Sequence, residues 1–282
     1  MTIAITGSSG FIGSYLTHYF QKKDFQIVPI KRSEIYDIEV LKNKLDSVDV
    51  IINLAGANII NRWTPTYKNL LYGSRVDTTK NLVQAINSID KNKLLISSSA
   101  VGIYEDNVYT DEYKTNYGST FLTKICSDWE ETAKGAQCRV AIFRYGVVLG
   151  DGGALKKMLL PFKLGLGGNI GDGKQPFPFI HIEDLARAYE YIINNNTIDG
   201  TFNLTAPNLI DNAIFTKTLS KILRRPAFLT IPSFILKLLF GEGSIVLTNG
   251  QNAYPKRLIE NDFKFKFETI EETLRDLIKT KP

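Results

Sequence analysis

The first thirteen residues constrain this chain more than any later stretch. Thr2 to Thr6 is a short β-branched run, and Thr6-Gly7-Ser8-Ser9-Gly10-Phe11-Ile12-Gly13 follows without a break. The glycines stand three and three apart, and Phe11 to Gln21 then carries helical apolar spacing. A strand that turns through glycines directly into a helix is a variant of the dinucleotide-binding fingerprint. Gly7 permits the tight turn, Gly10 lets backbone approach a pyrophosphate, and Gly13 lets the helix pack on the strand. The helix start, reached through Ser9, Phe11 and Ile12, offers unpaired N–H groups and a partial positive charge to phosphates.

The pattern that follows fits one fold class. Further apolar runs lie at Phe25 to Ile30, Asp49 to Leu54, Lys93 to Ser97 and Cys138 to Phe143. Amphipathic stretches, such as Pro65 to Asn87 and Phe121 to Ala133, separate them. Continuous apolar strands alternating with helices predict a parallel sheet buried on both faces, in a doubly wound α/β domain. After Gly150 the rhythm changes. Helical segments are predicted at Leu155 to Leu164, Glu183 to Asn194, Asp211 to Leu223, Phe234 to Phe240 and Ile270 to Ile278. The expected organisation is a nucleotide-binding core over 1–150, completed by parts of 175–205, and a smaller, mostly helical substrate lobe over 151–282. The dense glycines from Gly165 to Gly173 read as a mobile lid or substrate loop.

Composition narrows the function. Hydrophobic residues make up 44% of the 282 and charged residues 22%, which excludes a disordered, collagenous or coiled-coil chain. The net charge is +5 and is spread along the chain, so no nucleic-acid-binding arm stands out. Cys126 and Cys138 have neither metal spacing nor a disulfide framework. No metal is expected, and the compartment reads as reducing and cytoplasmic. No apolar run approaches the ~20 residues that span a bilayer. The expected partner is a small-molecule substrate, with neither nucleic acid nor membrane, in a monomer or homodimer.

Cofactor choice is read from the second strand. An NAD site carries Asp or Glu about 20 residues after the fingerprint, on the ribose 2′-hydroxyl. Here the strand ends in Lys31-Arg32, with Arg32 19 positions past Gly13. Two cations there suit a 2′-phosphate, so NADP is favoured over NAD. Leu54, Ala55 and Gly56, small at the end of the third strand, leave room for adenosine and ribose. Ser97, Ser98 and Ser99 end the fourth strand beside the expected nicotinamide, where their hydroxyls would meet a substrate oxygen.

These residues resemble the extended short-chain dehydrogenase/reductases, and more narrowly an atypical epimerase/dehydratase-like family in which the label "SulA-like cell division inhibitor" recurs. The resemblance runs through Asn53-Leu54-Ala55-Gly56, Arg62-Trp63-Thr64, Ser74-Arg75-Val76, Trp129-Glu130, and Arg144 with Gly146 to Gly150. It continues through Gly152-Gly153-Ala154-Leu155, Gly165-Leu166-Gly167-Gly168 and Ile180-His181-Ile182-Glu183-Asp184. The tail, with Gly241-Glu242, Gln251 and Pro255-Lys256-Arg257-Leu258, is similar to that family's small C-terminal domain of unknown function, here about 229–279. The resemblance implies an NADP-binding Rossmann fold, with Val147 among the cofactor contacts, and no particular substrate.

The chain departs from the superfamily at its catalytic signature. Tyr-x-x-x-Lys, in which the ammonium lowers the phenol pKa, occurs only as Tyr19 and Lys23 on the first helix. In the expected region Thr120 stands four residues before Lys124. Tyr117, one helical turn earlier, is the candidate replacement, with Tyr104, Tyr113 and Glu112 as others. Ser99 matches the serine slot, and Lys124 reads either as a ribose contact or as a solvated lysine. Arg62, Arg75 and Arg144 would bind an anionic substrate group or form ordinary ion pairs. His181 reads as a pocket acid/base or a structural histidine, with Asp184 as a helix cap. Two functions follow. One is an NADP-dependent oxidoreductase or epimerase on a small carbonyl or sugar-like substrate. The other is an NADP-binding regulator that has lost its chemistry.

Overall fold

The computed structural model describes residues 1–89, 92–114 and 116–279. Six parallel strands form the central sheet in the order Gly200–Leu204, Arg139–Tyr145, Leu94–Ala100, Val50–Asn53, Thr2–Thr6 and Gln26–Ile30. The chain first builds outward from Thr2–Thr6 to Gln26–Ile30. It then crosses back and adds every later strand on the other side. The order reverses beside the first strand, where a crevice opens at the carboxyl ends of an α/β sheet. This is the doubly wound, Rossmann-like α/β fold that the strand–helix alternation predicts.

Both faces of the sheet are buried, which is why its strands read as unbroken apolar runs. Ile3, Ile5, Ile52, Ile96, Phe143 and Phe202 face the helices Phe11–Gln21 and Ile182–Asn194. Their neighbours Ala4, Ile51 and Leu95 face the helices Ile38–Leu45 and Val76–Asn87. Gln26–Ile30 is one edge, and it carries Pro29. At the other edge Glu112 accepts from the outward N–H of Asn203 at 2.8 Å, and Arg257 donates to the Thr201 and Asp199 carbonyls.

The second half has its own core of Leu149, Leu155, Phe162, Phe179, Phe215 and Leu274. Val147–Gly150 pairs in parallel with Phe179–His181, and helices Asn212–Leu223 and Ile270–Lys279 pack on each other.

Two local expectations are corrected. The stretch Pro65 to Asn87 is two helices, Pro65–Gly73 and Val76–Asn87. Between them Arg75 folds its guanidinium back to donate to the Leu71 and Ala57 carbonyls. The Gly165 to Gly173 segment is not an open loop. Within it Gly168–Ile170 pairs with Leu229–Ile231, and a methyl on Gly168 would collide with the Leu229 carbonyl oxygen. Gly168 serves close backbone approach, and Gly165, Gly171 and Gly173 hold positive φ in the turns around it.

Candidate functional site

The glycine turn has the geometry its sequence calls for. Gly7 sits at φ +67°, with the Leu54 carbonyl oxygen 3.0 Å from where a Cβ would be. A Cβ on Gly13 would collide with the Gly7 carbonyl and approach the Ser8 Cα to 2.8 Å. The Gly10 N–H closes the turn on the Gly7 carbonyl at 3.0 Å. Helix Phe11–Gln21 starts on Gly10 with no side-chain cap, and Ser9 and Gly10 are exposed. Its first amides therefore face outward without intrahelical partners. The Phe11 ring packs against the backbone of Gly150, Gly152 and Gly153, while Ile12 joins the core. Lys31 and Arg32 lie exposed just past the neighbouring strand end. Leu54, Ala55 and exposed Gly56 follow the next strand, and the Arg75 guanidinium lies against Gly56.

Along the carboxyl ends of the strands, polar side chains hydrogen-bond one another. Thr6, Asn53 and Ser97 are register partners on one face. The Thr6 hydroxyl donates to Asn53 Oδ1 at 2.8 Å and accepts from the Leu54 and Ala55 N–H groups. Asn53 Nδ2 donates to Thr79 at 2.8 Å and to Ser97 at 3.4 Å. Ser98, on the opposite face, donates to the Asn53 carbonyl and meets the Tyr145 hydroxyl, which in turn pairs with Tyr189. Ser97 and Ser98 are therefore buried fastenings, and the expectation that their hydroxyls face a ligand is corrected. Val147 turns into the core of the second half.

The second row is charged. Ser99, Arg144 and Asn203 are register partners across three strands. Ser99 donates to Glu130 at 2.7 Å, from a helix, Phe121–Lys134, laid over that face. Arg144 binds the Glu130 carboxylate through Nε at 2.7 Å and Nη2 at 2.6 Å. It also donates to the Tyr104 hydroxyl at 2.6 Å and to the Tyr117 hydroxyl at 3.1 Å. The Tyr104 hydroxyl in turn donates to Asn203 Oδ1 at 3.0 Å. Burial pushes the Tyr104 phenol up to about 12 although Arg144 favours its ionised form, so it stays neutral. Arg144 and Glu130 are both about 2% exposed, and four of the five arginine donors are taken. Of the two readings open for Arg144, the structure shows the ion pair, buried with Glu130, and Ser99 is tied to it. Tyr117 is 42% exposed and is the member of the group that reaches solvent. A depression of about 230 Å³ lies between Tyr104–Asp106 and Gly118–Thr120, the segments beside it.

The remaining candidates are dispersed. Thr120 caps the helix by accepting from Thr123 N–H at 3.2 Å. Lys124 is exposed and ion-pairs one turn on with Asp128 at 2.7 Å, so it does not join Tyr117. Arg62 donates to the Leu238 carbonyl at 2.7 Å and fastens the C-terminal helix Ser233–Phe240. Burial pushes the Cys126 thiol up to about 11, which keeps it inert. Tyr113 is bound to Glu260, and Glu112 is occupied at the sheet edge. The described residues contain no cluster of three or more metal-ligating side chains, and no helix long and apolar enough to cross a membrane.

His181, not Asp184, caps helix Ile182–Asn194: its Nδ1 accepts from Glu183 N–H at 3.0 Å. Nε2 meets Asp276 at 3.2 Å, and Phe267 stacks on the ring. Asp184, fully buried, accepts from the Lys266 and Phe267 N–H groups. Both residues fix the C-terminal segment. Burial holds the imidazole below its ordinary value, outweighing the carboxylates of Asp276, Asp184 and Glu183, which pull it up. The unfolded chain takes this proton near pH 6.5 and the folded chain only at lower pH. The His181 contribution is therefore fully present above about pH 6.5 and lost as pH falls below it. His181→Asn, which keeps a capping acceptor, is expected to flatten that part of the curve. Urea midpoints at pH 5 and 7 measure it; an unchanged difference between the two would refute it.

The chain and its fold have counterparts among known proteins. The model of the NAD dependent epimerase/dehydratase family matches residues 3–205, and that of a domain of unknown function (DUF1731) matches residues 231–277. The chain belongs to the epimerase/dehydratase family. The epimerase family protein YfhF of Bacillus subtilis is 34% identical over 99% of this chain and 98% of its own. The crystal structure of human epimerase family protein SDR39U1 with NADPH superposes with a TM-score of 0.90, at 31% identity over 99% of this chain and 100% of the other. A UDP-glucuronic acid 4-epimerase from Bacillus cereus, 18% identical over 99% of both chains, shares the fold with a TM-score of 0.80. The sequence does not reveal the buried Ser99–Glu130–Arg144–Tyr104 group as a unit, because its members come from separate strands, a loop and a helix. Its one visible signal was that Ser99 and Arg144 both stand near the ends of predicted strands.

Proposed function

We propose that this chain is an NADP(H)-binding member of its family that acts as an oxidoreductase or epimerase on a small carbonyl or sugar-like molecule, as a cytoplasmic monomer or homodimer. The observation that carries the reading is the turn from Gly7 to Gly13. A Cβ at Gly7 or Gly13 would strike the Leu54 or Gly7 backbone, so glycine lets strand, turn and helix close up, and the uncapped helix start stays exposed at Ser9 and Gly10. The human relative crystallised with NADPH supports the same cofactor here. The first-turn amides of Phe11 and Ile12 would hold the pyrophosphate. Lys31 and Arg32 would hold the 2′-phosphate, and Leu54 to Gly56 would border the adenosine and its ribose. NADPH, when bound, supplies a hydride. The protein's part is to orient a carbonyl and to hold a proton for its oxygen. Tyr117 is our candidate for that proton, because its hydroxyl is anchored by Arg144 while its ring reaches solvent.

A second reading, binding without turnover, is favoured by one specific observation: Thr120 occupies the usual tyrosine position and Lys124 is turned to Asp128. NADPH oxidation over a panel of carbonyls separates the two.

The binding claim is tested first. Titration by cofactor fluorescence is expected to give tighter binding of NADPH than of NADH. Lys31→Ala and Arg32→Ala are each expected to weaken NADPH by roughly tenfold, from about 1.5 kcal/mol per charge-assisted contact, and to leave NADH unchanged. Equal losses for both cofactors would remove the 2′-phosphate assignment, and no binding of either would remove the cofactor assignment.

A further inference from the structure

The second half of the chain exposes an apolar surface that the cofactor site does not use. Helix Ser233–Phe240 has the sequence SFILKLLF and buries only Leu236 among its eight residues. Phe234 is 70% exposed and Leu238, one turn on, 72%. A second apolar group adjoins it along the chain. Leu164 and Leu166 are 65% and 57% exposed, and Phe228 is 79% exposed. The segments run side by side: Gly168–Ile170 pairs with Leu229–Ile231, Gly165 packs toward Pro226, and Gly171 toward Ser233. Large apolar side chains left in water forgo the gain of burial, so a cluster of them marks a contact surface.

Charge says what covers it. Residues 153–166 contain Lys156, Lys157 and Lys163, and residues 221–240 contain Lys221, Arg224, Arg225 and Lys237; neither segment has an acidic residue. Four of these cations, Lys163, Arg224, Arg225 and Lys237, lie within the apolar strip itself, and Lys221 beside it pairs with Glu271. A second copy seated on the same face would bring both sets of cations together, which an isologous contact does not tolerate. An anionic bilayer surface matches both properties. Phenylalanine and leucine enter the boundary between headgroup and acyl chain, and lysine and arginine meet the anionic headgroups. Eight helical residues span about 12 Å, well short of the hydrocarbon core, so the helix would lie on the membrane and not cross it.

We propose that the strip formed by residues 160–166 and 224–239 docks the protein on an anionic membrane surface. The test is co-sedimentation of the full chain with vesicles of phosphatidylcholine alone and with 30% phosphatidylglycerol, at low and high salt. The expected result is binding to the anionic vesicles only, weakened at least tenfold in 0.5 M salt. Phe234→Ser with Leu238→Ser, and separately Arg224→Glu with Arg225→Glu, should each weaken it at least tenfold while NADPH titration is unchanged. Those side chains are exposed, so folding is not at issue, and the retained cofactor signal confirms it. No binding to anionic vesicles overturns the proposal. So does binding that ignores both pairs of substitutions, or a dimer in light scattering that Phe234→Ser with Leu238→Ser dissociates.

Discussion

Glu130→Ala is expected to lower the unfolding free energy by about 3–5 kcal/mol, the range for removing one partner of a buried ion pair. Arg144 would be left about 2% exposed with its charge uncompensated, and Ser99 would lose its acceptor at the same time. The control is Ser99→Ala, which leaves the ion pair intact and should cost only about 1 kcal/mol. A paired replacement, Glu130→Leu with Arg144→Met, should recover most of the loss, because two apolar side chains of similar volume leave no charge stranded. Urea unfolding of the three variants measures this. A loss from Glu130→Ala no larger than from Ser99→Ala would show that the pair is not buried as described.

Gly13→Ala is expected to abolish measurable cofactor binding or weaken it by about a hundredfold. The added methyl collides with the Gly7 carbonyl and meets Ser8 Cα at 2.8 Å, both backbone atoms that cannot rotate away. The helix must move off the turn at a cost of about 1–3 kcal/mol, and the amides aimed at the phosphates move with it. Gly10→Ala is the comparison, since its methyl would meet only the Gly7 carbonyl oxygen, at 3.3 Å. It should reduce affinity less than Gly13→Ala does. Isothermal titration with NADPH measures both, and the reverse order would mean that the helix tolerates displacement and the turn is not the phosphate site.

The frame of this fold was legible because its signals are local. Thr2 to Gln21 reads correctly to the residue as strand and helix, since the glycine turn and the apolar periods lie within one short stretch. The wider sheet follows from unbroken apolar runs. The side chains near the strand ends were harder. Ser97, Ser98, Ser99 and Arg144 have the chemistry of ligand contacts, and nothing in their spacing says which hydroxyl or guanidinium a neighbouring strand will take. Glu130 decides the matter for Ser99 and Arg144, from 31 and 14 residues away in sequence. The two readings of His181 stay open in the sequence for a similar reason. Its partners Asp276 and Phe267 lie in the C-terminal segment and become neighbours only when that segment folds back. The amphipathic strip is hard to read from sequence because each of its pieces is short, and they come together through the pairing of Gly168–Ile170 with Leu229–Ile231.

The two edges of the central sheet bear on how this protein behaves at high concentration. Pro29 lacks an N–H to offer a neighbouring chain, and at the far edge Glu112 and Arg257 already hold the outward N–H of Asn203 and the outward carbonyl of Thr201. A strand from another molecule would find no continuous row of partners on either side. Crowded molecules are thereby kept from extending the central sheet edge to edge into the long ribbons that begin fibril growth.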